Sequence, residues 1–193
     1  MKKLFILILL LFLTLFFVAC GDSAPATEGN SLNPDLDFKS VLDTETGNIF
    51  SLGEHRSVFD DAFGEGEETL SNPQHNTVFV DYVFENPTSS LSVAFVDDIA
   101  FWIHTNSDRF VFAEASFDMT IGQLRERFAE VDDPYLEEGH ATFRRSYYQD
   151  GNITENPDST VFHTTVSTRD ETAIFISLMN VAQFREAAAR NGS

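Results

Sequence analysis

Residues 50–64 read FSLGEHRSVFDDAFG, and residues 117–130 read FDMTIGQLRERFAE. Leu52, Phe59 and Phe63 of the first stretch recur at the same spacing as Phe117, Leu124 and Phe128 of the second. Steps of seven and four residues place such side chains on one stripe of a short amphipathic helix. Thr120 and Gln123 have capping-box spacing, in which each side chain satisfies the other's free backbone N–H, so the second helix is expected to start there. His55 holds the equivalent place in the first stretch and is a weaker cap.

Working outward, each helix is followed by runs rich in β-branched and aromatic residues, several of them alternating. After the first these are residues 77–84, 91–96 and 99–105; after the second, 141–148, 161–167 and 172–179. The first two runs of each set are joined by related turns, Glu85-Asn86-Pro87 and Glu155-Asn156-Pro157, and Asp97-Asp98 supplies a two-residue turn between the last two runs of the first set. Offsets between matching features grow from 65 to 70 to 73 residues, as loop insertions would make them. The chain therefore reads as a repeat of helix plus three strands over residues 49–113 and 114–180, with a terminal helix from Val181 to Arg190. Consecutive strands joined by short turns pair antiparallel. The expected class is α+β: tandem α-β-β-β modules sharing an antiparallel sheet with helices on one face.

Ahead of this domain (residues 37–193) lie two segments of other character. Lys2 and Lys3 precede an apolar run at residues 4–18, which has signal-peptide length and falls short of the roughly 20 residues a membrane-spanning helix needs. The run ends in Phe17-Val18-Ala19-Cys20-Gly21, which resembles the lipobox of bacterial lipoproteins, though Phe17 replaces the usual leucine. That resemblance implies removal of residues 1–19 and lipidation of Cys20, hence a membrane anchor on the extracytoplasmic side. Cys20 is the only cysteine, so the domain forms no internal disulfide and stands on its core alone. Residues 21–36 are small, polar and proline-containing, as a tether would be.

Two further resemblances bear on the domain. Residues 52–64, LGEHRSVFDDAFG, resemble the LGxxxxxVxxxFG helix of small envelope lipoproteins of the outer-membrane-assembly class. The tandem α-β-β-β order resembles the beta-lactamase inhibitor protein family. The second copy departs from the glycine pattern, with Asp118 and Ala129 where the first has Gly53 and Gly64. These resemblances imply a protein that binds another protein rather than one that catalyses.

Charge narrows the partners. The formal net charge is −19, or −21 once Lys2 and Lys3 leave with the signal, which disfavours nucleic acid and adsorption to anionic lipid. Lys39 is the only lysine after the signal, against nine arginines, a balance suited to salty or alkaline medium.

No sequence pattern announces catalysis. His55, His75, His104, His140 and His163 are scattered, with no HxH or HExxH, and there is no GxSxG or phosphate-binding glycine loop. The acidic groups around Asp60-Asp61, Glu65 to Glu68, Asp132-Asp133 and Glu137-Glu138 lack the DxDxDG spacing of a calcium loop and read as solvated turns. No cofactor and no metal site is expected. What remains is aromatic: 16 phenylalanines after the signal, four tyrosines and Trp102. Alternation puts Phe101 and Ile103 towards the core and Trp102 with His104 on the opposite, open face. Arg144, Tyr148 and His163 are assigned to that face too, which then has the composition of a protein-binding surface. The expectation is a non-enzymatic, membrane-anchored lipoprotein that binds an envelope protein or component through Trp102, His104, Arg144, Tyr148 and His163. The alternative is a sensor of cations or small ligands in the groove between the halves.

Overall fold

A computed structural model describes residue 33 and residues 35–72, 77–84, 89–131, 139–154 and 162–191. Cys20, residues 21–32 and 34 of the tether, and both Asn-Pro turns lie outside these residues, whereas Leu36 at the end of the tether is buried.

The class is α+β, as expected, and the main sheet is antiparallel throughout. It has eight strands: β3 (Glu67–Asn72), β4 (Thr77–Val83), β5 (Ser90–Val96), β6 (Ile99–Thr105), β8 (Ala129–Val131), β9 (His140–Tyr147), β10 (Phe162–Arg169) and β11 (Thr172–Asn180). Their spatial order is β3-β4-β5-β6-β11-β10-β9-β8, so two meanders meet where β6 pairs with β11. Each meander has four strands, where the sequence announced three. The additional strands are the two edges: polar β3 (EETLSN) lacks an apolar alternation, and β8 (AEV) is too short for one to show.

Helices α1 (Arg56–Phe63) and α2 (Ile121–Arg127) precede the two meanders. Their N-termini are capped as the sequence indicated. His55 accepts from the Ser57 N–H, and Thr120 with Gln123 forms a complete capping box. Their C-termini differ, which accounts for Gly64 in the first stretch against Ala129 in the second. Gly64 caps α1 at φ 83°, a conformation that disfavours a side chain, and a Cβ on the nearby Gly66 would overlap Val80 and Tyr82. After α2, Phe128 is extended (φ −126°) and runs straight into β8, so no glycine is required.

Three short strands form a second sheet: β1 (Ser40–Asp43) between β2 (Ile49–Ser51) and β7 (Phe110–Phe112). The sequence reading did not contain them, because three- and four-residue strands show no period. They close over the main core. Val41, Phe50, Phe110 and Phe112 join Phe59 of α1, Leu124 of α2 and one face of the main sheet, including Val93, Ile103, Phe143, Val166 and Leu178. Of the six repeat-defining residues, Leu52, Phe59, Leu124 and Phe128 are buried, while Phe63 and Phe117 are partly buried against the same cluster.

One ion-pair cluster fastens this layer. The Arg109 guanidinium donates to both oxygens of Asp43, Nε to Oδ1 at 2.7 Å and Nη2 to Oδ2 at 2.6 Å, and a third nitrogen lies 2.7 Å from Glu45. Its carbon sits 4.4 Å from the Phe84 ring centroid, a cation–π contact.

Helices do not all lie on one face. The terminal helix α3 (Val181–Asn191) starts directly after β11, with Asn180 Oδ1 accepting from the Gln183 N–H. The charge of its Arg185 acts on His163, which points away from the main core.

Candidate functional site

The face of the main sheet opposite the core is set by cross-strand register. One row runs Phe79, Ala94, Trp102, Met179, His163, Ser146. The next runs Asp81, Ser92, His104, Ser177, Thr165, Arg144. Four of the five expected binding residues thus share one face, and Tyr148 follows at the end of β9 with 39% of its surface exposed. They do not form a single cluster. Two inter-strand steps separate Trp102 from His163 and three separate His104 from Arg144, roughly 10 and 14 Å.

Two groupings result. The first is a line of rings. Trp102 meets Phe79 edge-on at 5.8 Å and stacks on His104 at 5.0 Å, and His104 stacks on Phe175 at 4.8 Å. Burial between these rings lowers the His104 pKa against the opposing pull of the Asp81 carboxylate, so the imidazole is neutral at pH 7. Phe175 is 37% exposed, and Trp102 is half-buried. The face is therefore not uniformly wet. Phe101, expected in the main core, is instead buried here beside Trp102, Ala94 and Val96. The reason is a bulge: Ala94 faces Trp102 and Phe95 faces Ala100, leaving Phe101 as the extra residue, and alternation reverses at that point.

The second grouping is polar. His163 Nδ1 lies 3.0 Å from Ser146 Oγ. Burial, then the charges of Arg144 and Arg185, bring its pKa down to about 4. Among the described residues no salt bridge includes Arg144.

Phe79 and Phe175 were missed as members of the ring line. Alternation along β4 and β11 gives their side, but only the strand order brings them beside Trp102 and His104. Among the described residues no group of three His, Cys, Asp or Glu side chains could hold a metal ion, and no helix is long and apolar enough to cross a membrane.

No protein-family model matches the chain, and no curated protein matches it. Among solved structures, the chain is similar to an extracellular protein of Bacillus anthracis str. Ames that contains an SCP domain. The TM-score is 0.45 at 4% identity, over 69% of this chain and 45% of that one. The chain thus spans less than half the length of that neighbour.

Proposed function

We propose that this protein is a non-enzymatic lipoprotein, anchored through lipid on Cys20 at the extracytoplasmic side of a membrane, that binds an envelope protein through the ring-bearing face of its main sheet. The observation that carries the reading is the line Phe79–Trp102–His104–Phe175. It places stacked, preorganised aromatic rings away from the main core, and such rings are enriched in protein-binding hot spots. The Cys20 anchor rests on the sequence that precedes it.

The same reading holds that the domain arose by duplication. Each helix is followed by a four-stranded meander, and the meanders meet through their last strands. The turns into those last strands also correspond. Asp97-Asp98 and Asp170-Glu171 both adopt positive φ, at 51°, 60°, 49° and 68°, and they are 73 residues apart. Non-glycine pairs in that conformation are uncommon, so their recurrence at matching places supports common descent.

Cross-linking in intact membranes, followed by detergent extraction, tests the binding role. A stoichiometric partner should co-purify with the wild-type chain and be lost with Trp102→Ala, while both chains stay membrane-attached. Equal recovery with the variant would refute the assignment of the face.

A further inference from the structure

A second site lies at the outer edge of β9. Up to Arg144 that edge is covered by β8, whose Ala129 pairs with Arg144. From Ser146 onward it is covered by another segment, as the Thr154 N–H donates to the Ser146 carbonyl at 2.9 Å. Between the two covers, beside the C-terminus of α2, opens a cleft of about 480 Å³. Its walls include Arg127, Arg144 and Arg145, with Phe128 and Ile153 as apolar surface.

Three of nine arginines meet here in a chain of net charge −19. Carboxylates do not balance them. Glu114 serves two, with Oε2 2.7 Å from Arg145 Nη1 and 3.7 Å from Arg127 Nη1. Burial raises the Glu114 pKa in spite of those cations, which weakens its hold on the charged form. Glu126 also borders the cleft. Arg145 is only 8% exposed, yet its Nε has no hydrogen-bond acceptor among the described residues; the buried Arg144 Nε and Arg127 Nη1 have none either. A buried guanidinium N–H without an acceptor costs free energy comparable to a lost charged hydrogen bond. An oxyanion entering the cleft adds acceptors beside these under-satisfied guanidinium groups, whose planar forks match its oxygens.

We propose that this cleft binds a small oxyanion, a carboxylate or phosphate carried on an apolar group. The anion meets Arg144 and Arg145, and the apolar part lies against Phe128 and Ile153. The volume falls in the range of small-ligand pockets and exceeds what a bare inorganic ion fills.

Isothermal titration of the full chain in detergent, at fixed ionic strength set with sodium chloride, tests this with benzoate, phenyl phosphate and inorganic phosphate. One of the two aryl anions should bind saturably and more tightly than inorganic phosphate; whichever binds identifies the anionic group. Arg144→Gln, which breaks no ion pair among the described residues, should raise that Kd about tenfold or more, the loss expected for one charged hydrogen bond. Arg169→Gln and Trp102→Ala should leave it unchanged, so this site stands or falls apart from the ring-bearing face. No heat beyond the chloride control, or an Arg144→Gln affinity equal to wild type, would overturn the proposal.

Discussion

Asp43 is fully buried, and its charge is matched by the bidentate Arg109 contact. Burial alone would raise its pKa. Hydrogen bonds from Arg109, Thr46 and the Glu45 N–H outweigh that and hold it below the ordinary 3.8. A depressed carboxylate contributes stability that is present above the unfolded value and is lost as pH falls through the folded one. Acid unfolding followed by circular dichroism should therefore steepen below pH 3.8, and Asp43→Asn should remove that component. The same variant should cost about 1.5–3 kcal/mol at neutral pH, because it weakens the charged hydrogen bonds to Arg109 while Glu45 still faces the guanidinium. His163 acts in a different range. Its folded pKa of about 4 lies below the unfolded 6.5, so the unfolded chain takes up the proton first. Stability should fall as pH drops from 6.5 towards 4, with His104 adding in the same direction. Glu114, with its raised pKa, acts oppositely, so the comparison that isolates His163 is His163→Gln: its melting temperature should vary less across that interval. The Asp43–Arg109 contact left no trace in the sequence, since 66 residues separate its partners and the strands that bring them together were themselves unread.

At the scale of elements, legibility followed length and alternation. The six long strands were placed to within about two residues, because each carries a period-two or β-branched signal of its own. β1, β2, β7 and β8 were invisible at three or four residues. Alternation also failed at the β6 bulge, a backbone event that no side-chain pattern marks, and Phe101 changed sides there. The ring-bearing face could be sketched from alternation, whereas the arginine cleft could not: Arg144 and Arg145 are sequence neighbours on opposite faces that meet only at a strand edge. Two outcomes belong to this scale. Glu171 sits at φ 68°, a strained conformation for a side chain without Asx chemistry, so Glu171→Gly should raise stability by about 1 kcal/mol in chemical denaturation. Truncating the core ring of α1 by Phe59→Ala should cost about 3–5 kcal/mol, and the half-buried Trp102→Ala only about 1–2.

For the molecule as a whole, the net charge of −19 exerts self-repulsion that salt screens. The melting temperature should rise from dilute buffer to molar sodium chloride and rise equally with potassium chloride; a rise with calcium alone would point to specific binding instead. Anchoring is tested by Cys20→Ser, which should leave the chain soluble or uncleaved, whereas the wild type should carry acyl mass on Cys20 and partition into detergent.

The palindromic order of the main sheet bears on how the chain acquires its structure. Every pairing in that sheet joins strands consecutive within it, except β6 with β11, where Thr105 meets Ile176. Loop closure is cheap for the neighbouring pairs and costly for that one. Each meander is thus free to assemble early from near contacts, and the slow event is the docking of two preformed halves along a single ladder. A chain emerging N-terminus first would complete the first meander while the second is still unmade, with β6 exposed as a template that waits for β11.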